Sequence, residues 1–118
     1  MKTTIEIMSE YQSVVSESKI PVVVVIVANW CGTCQIMIPI LETLSEKYNE
    51  QIKFVMVDVN AVEDVVKNCG LDKLPILLFF KEGNLIDQHI GTISCCVLEI
   101  KVKKIIENSS TNNISKKI

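Results

Sequence analysis

Val22-Val23-Val24-Val25-Ile26-Val27-Ala28-Asn29-Trp30-Cys31-Gly32-Thr33-Cys34 is the stretch whose reading decides the fold. Six consecutive β-branched residues with no polar alternation suit a central strand covered on both faces. Two cysteines at C-x-x-C spacing follow directly. Beyond them, apolar residues at Ile36, Ile40, Leu41 and Leu44 repeat with helical spacing, while Glu42, Ser45, Glu46 and Lys47 supply a wetter side. The spacing predicts a helix from Gly32 to Tyr48, kinked at Pro39. The pair therefore sits between a buried strand and a helix N-terminus, where unpaired backbone N–H groups and the helix dipole favour an anion.

Outward from this core, Ile5 and Ile7 alternate with Glu6, and a first strand is preferred there over a capping box on Thr3 and Glu6. Ser9 and Gln12 cap a helix from about Glu10 to Glu17, and Pro21 resets the chain. Lys53 to Val59 reads as a second buried strand. A short helix over Ala61–Asn68 follows, closed by Gly70. Ile76–Phe80 and Leu85–Ile90 flank Lys81-Glu82-Gly83-Asn84, which predicts an antiparallel hairpin. Ser94 opens a last amphipathic helix to about Glu107, with Cys95 on the face of Leu98, Val102, Ile105 and Ile106. The order predicts an α/β fold, a mixed sheet with helices on both faces. Residues 1–108 form one domain and the polar residues 109–118 a frayed tail.

The chain has 118 residues, 14 acidic and 12 basic, with a net charge of −2. That balance disfavours a nucleic-acid partner, which needs surplus cations against phosphate. Every basic residue is Lys, so no guanidinium is present to clamp carboxylate or phosphate. The apolar run Pro21–Ala28 is far short of the roughly 18 residues of a membrane span, and no membrane partner is expected. Glu6 and Glu10 stand where a secretory signal would need an apolar core. With an odd count of five cysteines, the chain reads as cytoplasmic, where a close pair is catalytic or metal-binding more often than structural.

Three chemistries fit Cys31 and Cys34. A zinc or iron–sulfur site needs further ligands from Cys69, Cys95, Cys96 and His89, none of which forms a second C-x-x-C or H-x-x-x-H pairing. Burial as two small hydrophobes leaves Trp30 and Gly32 unexplained. A redox couple uses everything present. The helix N-terminus activates Cys31 as thiolate, and Cys34, one turn further on and less exposed, resolves the mixed disulfide. No metal or organic cofactor is required. His89 has no neighbouring ligand in sequence and reads as structural or exposed.

Over Ile5–Ile106 the sequence resembles the thioredoxin family. The resemblance is carried by Ala28-x-Trp30-Cys31-Gly32-x-Cys34 after a strand, Pro39 in the helix, Val57-Asp58-Val59, and Leu74-Pro75 before a strand. It implies a central mixed sheet flanked by four helices and a protein-disulfide reductase with Cys31 as nucleophile and Cys34 as resolving thiol. A cis peptide bond at Pro75 also follows from it. The resemblance further implies a substrate groove of Trp30, Gly32, Thr33, Leu74, Pro75, Gly91 and Thr92, and recharging by a flavin-dependent thioredoxin reductase. Four positions depart from the family pattern. Val25 and Met56 stand in place of a buried Asp and its Lys, which leads us to expect slower deprotonation of Cys34. The runner-up reading is accordingly a thioredoxin-fold adaptor with weak redox cycling. Thr33 replaces a proline, freeing a backbone N–H toward the Cys31 sulfur, and Gln35 replaces a lysine; together they should make the disulfide more oxidising. A monomer is expected, with weak self-association through Cys96, Val97 and Ile100.

Overall fold

A computed structural model of the chain describes residues 6–8, 12–28, 31–59 and 73–111, with backbone alone at 6–8 and 108–111. The described elements are β1 (Glu6–Met8), α1 (Gln12–Glu17), β2 (Val22–Val27), α2 (Gly32–Lys47), β3 (Lys53–Asp58), β4 (Ile76–Lys81), β5 (Asn84–Ile90) and α3 (Cys95–Thr111). The helix expected over Ala61–Asn68, the cap at Gly70, Cys69 and Trp30 lie outside the described residues. α3 runs past the expected end at Glu107 to Thr111.

The strands form one mixed sheet in the order β1-β3-β2-β4-β5. β1 and β2 both pair in parallel with β3, while β4 runs antiparallel to β2 and to β5. Side chains alternate across the sheet with a period of two, so the all-apolar β2 feeds two cores at once. Val23 and Val25 join Met37, Leu41, Phe54, Phe79, Leu98 and Val102 beneath α2 and α3. Val22, Val24 and Ile26 face the other way, with Val15 of α1, Val55, Val57, Ile76 and Leu78. That double burial explains the absence of polar alternation in the sequence.

Two helix-face expectations are corrected. Ile36 is 66% exposed and Ser45 is buried, so the inner face of α2 runs Cys34, Met37, Leu41, Leu44 and Ser45. Cys95 is exposed rather than in the core, because it lies in the first turn of α3, ahead of the buried Leu98, Val102 and Ile105. α2 runs from Gly32 to Lys47 with Pro39 inside it. Two ion pairs fasten α3 to its surroundings, Lys47 with Glu99 at 2.6 Å and Lys101 with Asp87 at 2.7 Å. These lysines hold the Glu99 and Asp87 carboxyls below their usual range.

The β4–β5 hairpin closes more tightly than expected, since Lys81 pairs with Asn84 and only Glu82 and Gly83 form the turn. Both have positive φ, 52° and 83°, the signature of a type I′ turn that matches the twist of the strands. Glycine adopts this conformation freely and Glu82 does not. Glu82→Gly should therefore leave stability unchanged or raise it by up to about 1 kcal/mol, whereas Gly83→Val should lower it by about 1–2 kcal/mol. Urea midpoints of the two variants provide the check.

Candidate active site

The register of the sheet brings three distant segments together. β2 ends at Val27, and Ile26 pairs with Ile76, so the Leu74–Pro75 approach to β4 lies beside the C-terminal end of β2, where α2 begins. Ile76 also pairs with Ile90, which brings Gly91 alongside, and the Gly91 N–H donates to the Pro75 carbonyl at 2.8 Å. Residues 31–34, 74–75 and 91–92 thus converge on one end of the sheet. The Leu74–Pro75 bond is cis, and Gly91 has φ 94°, a left-handed conformation that favours glycine.

Cys31 and Cys34 are joined by a disulfide with their Cα atoms 5.3 Å apart. Cys31 is the N-cap of α2. Its backbone is extended, and its Sγ accepts the otherwise orphaned N–H of Cys34 at 3.1 Å. In the reduced state the same N–H and the helix dipole favour a thiolate on Cys31. Cys31 retains 6% of its surface and Cys34 none, so an approaching disulfide reaches Cys31 first. Gly32 lies between them with open space where a Cβ would stand.

Thr33 reaches the sulfur by a route the sequence did not suggest. Its hydroxyl, rather than a freed backbone N–H, lies 3.2 Å from Cys31 Sγ and donates to the Leu74 carbonyl at 3.1 Å. His89 is structural, as expected. Its Nε2 lies 2.9 Å from the Thr92 carbonyl and ties the 91–92 loop to β5. The Thr33 contact depends on a tertiary neighbour, whereas the His89 contact is local, three residues apart around Gly91.

Val25 and Met56 are paired in register, buried, and members of the apolar cluster beneath α2. Ser45 is the one buried polar or charged side chain among the described residues, so none of these offers a buried carboxylate behind the disulfide. Nor do three or more His, Cys, Asp or Glu side chains come together among them as a metal would need. No helix among the described residues is long and apolar enough to cross a membrane.

Both the sequence and the fold of this chain match known proteins. The sequence model of the thioredoxin family matches residues 2–104. Thioredoxin C-2 of Corynebacterium nephridii is 37% identical over 81 residues, covering 69% of this chain and 75% of the relative. Thioredoxin 1 of Synechococcus elongatus is 32% identical over 83 residues, or 70% and 78% of the two chains. Among solved structures, a thioredoxin from Nicotiana alata superposes with a TM-score of 0.74 at 25% identity over 89% of this chain and 95% of its own. Mitochondrial thioredoxin 3 from Saccharomyces cerevisiae, in its oxidized form, gives 0.72 at 29% identity over 85% and 94%. With the family match spanning most of the sequence and the paired cysteines at the head of α2, the chain belongs to the thioredoxin family.

Proposed function

We propose that this thiol–disulfide oxidoreductase works by attack of the Cys31 thiolate on a protein disulfide. Cys31 forms a mixed disulfide and expels one substrate thiolate; Cys34 then attacks the Cys31 sulfur, expels the second, and leaves the Cys31–Cys34 disulfide. Two electrons pass to the substrate. The observation that carries this reading is the Cys31–Cys34 pair, bonded at the N-terminus of α2 with Cys31 the more accessible sulfur. The bonded geometry also weighs against the adaptor with weak redox cycling.

The substrate chain would lie across Gly32, Thr33, Leu74, Pro75, Gly91 and Thr92, the segments that converge around the disulfide, and Trp30 joins this set by the family resemblance. Backbone pairing beside Pro75 would hold it in extended form. A flavin-dependent thioredoxin reductase is the natural electron donor for such a couple, and the cytoplasm its natural setting. The working unit is a monomeric domain over residues 1–108, followed by the 109–118 tail, into which α3 runs as far as Thr111. Val97 and Ile100 are 46% and 54% exposed beside the free Cys96, a surface suited to weak self-association.

Insulin-disulfide reduction tests the activity. With dithiothreitol as electron source the wild-type chain should accelerate insulin precipitation, and an absence of acceleration would refute the reading. Replacing dithiothreitol by NADPH and a thioredoxin reductase then tests the donor. Consumption of one NADPH per insulin disulfide reduced is the expected result, whereas no consumption would assign recharging to a different reductant.

A further inference from the structure

The Thr33 hydroxyl has one proton and two acceptors within reach. In the oxidised chain Cys31 Sγ carries no proton and, as a disulfide sulfur, accepts weakly, so the hydroxyl donates to the Leu74 carbonyl at 3.1 Å while its oxygen stays 3.2 Å from the sulfur. Reduction changes the balance. A Cys31 thiolate is charged, and hydrogen bonds to a charged acceptor are roughly twice as strong as neutral ones. We infer that Thr33 is a redox-responsive positioning residue whose hydroxyl turns from the Leu74 carbonyl in the disulfide state to the Cys31 sulfur in the thiolate state. The turn is a rotation about the Cβ–Oγ1 bond. No proton leaves the oxygen, and both heavy-atom distances already lie within hydrogen-bonding range.

The consequence concerns the groove, and here the inference rests on the substrate-binding reading proposed above. Leu74 is buried and directly precedes Pro75, and among the described residues its carbonyl takes its hydrogen bond from the Thr33 hydroxyl. When the hydroxyl leaves for the thiolate, that carbonyl is short of a donor and is free to accept an N–H from an incoming extended chain. When the disulfide reforms, the hydroxyl returns and competes with the product. The reduced form, which must capture a disulfide-containing partner, thus has the open carbonyl. The oxidised form, which must let it go, has it capped. A proline at position 33 would have no hydroxyl to perform this exchange.

Nuclear magnetic resonance of the full chain tests the inference. The Leu74 carbonyl carbon should change chemical shift on reduction in the wild type and in Thr33→Ser, and stay in place in Thr33→Val, which keeps the shape but has no hydroxyl. The Cys31 Cβ shift, followed across pH in the reduced protein, reports its thiolate. Below the titration midpoint the thiolate should be about tenfold scarcer in Thr33→Val and within about twofold of wild type in Thr33→Ser. A Leu74 resonance that ignores reduction in the wild type, one that moves equally in Thr33→Val, or an unchanged Cys31 titration in Thr33→Val would each overturn the inference. Insulin reduction by the wild type is measured alongside. Its failure would strike the disulfide-reductase reading, whereas failure of the resonances alone would strike only the role of the hydroxyl.

Discussion

Cys31→Ser should reduce insulin-disulfide reduction, with dithiothreitol as electron source, to the rate of dithiothreitol alone, a loss of about a thousandfold or more in the protein's own contribution. A serine hydroxyl at the N-cap of α2 can still accept the Cys34 N–H, so the helix start survives and the loss is chemical rather than structural. No thiolate remains at the accessible position, and Cys34 has no exposed surface with which to replace it. Cys34→Ser should behave differently. It retains the first attack and loses the second, so it consumes one equivalent of substrate and then waits for dithiothreitol to release it. Equal residual activity in the two variants would contradict the assignment of attacking and resolving roles.

Val25→Asp should move stability and turnover in opposite directions. Val25 has no exposed surface and lies opposite Met56, so an unpaired carboxyl there should cost about 3 kcal/mol, visible as a lowered urea midpoint. Burial would also raise the pKa of the new group toward neutrality, the condition in which a carboxylate serves as a general base. Beneath the helix that carries Cys34, it should speed release of the mixed disulfide near neutral pH by on the order of tenfold, with little change in the first attack by Cys31. In the wild type the release step should instead quicken as pH rises, since solvent hydroxide must take the proton that no carboxylate buried among the described residues accepts. A folded Val25→Asp protein with unaltered release kinetics would show that the apolar pair is not what limits Cys34. Adding Met56→Lys to Val25→Asp should recover part of the lost stability by pairing the charge.

How much of this was legible in the sequence depended on range. The strand Val22–Val27, the cysteines at the head of α2 and the hairpin around Gly83 were readable because each rests on local physics: β-branching, helix capping and turn conformation. Which face of a helix is buried proved harder at helix ends. Ile36 carries the apolar period of α2, yet it projects outward in the turn next to the active site. Ser45 looks like a surface residue, but it is buried near Phe54, where β3 passes under the helix. Cys95 continues the core stripe of α3 one turn too far, into the exposed neighbourhood of Lys47 and Glu99. Periodicity gives a direction around the helix axis; it does not say where along that axis the sheet ends.

The site divides along the same line. Cys31, Cys34, Gly32 and Pro75 stand out by residue type and by their resemblance to a known pattern. The contacts that give Thr33 and His89 their places do not. Thr33 meets a carbonyl 41 positions away, and His89 reaches around the left-handed Gly91 to the Thr92 carbonyl. Sheet register creates the neighbourhood of Thr33, and register is fixed only once all the strands have paired, whereas the His89 contact spans three residues and hangs on the left-handed conformation of Gly91.

The most direct test of the central claim is mass spectrometry of the Cys34→Ser protein after mixing with a disulfide-bonded peptide. One peptide adduct per chain, mapped to Cys31, is the expected result. An adduct on Cys95 or Cys96 instead, or none at Cys31, would contradict the assignment of Cys31 as the attacking thiol.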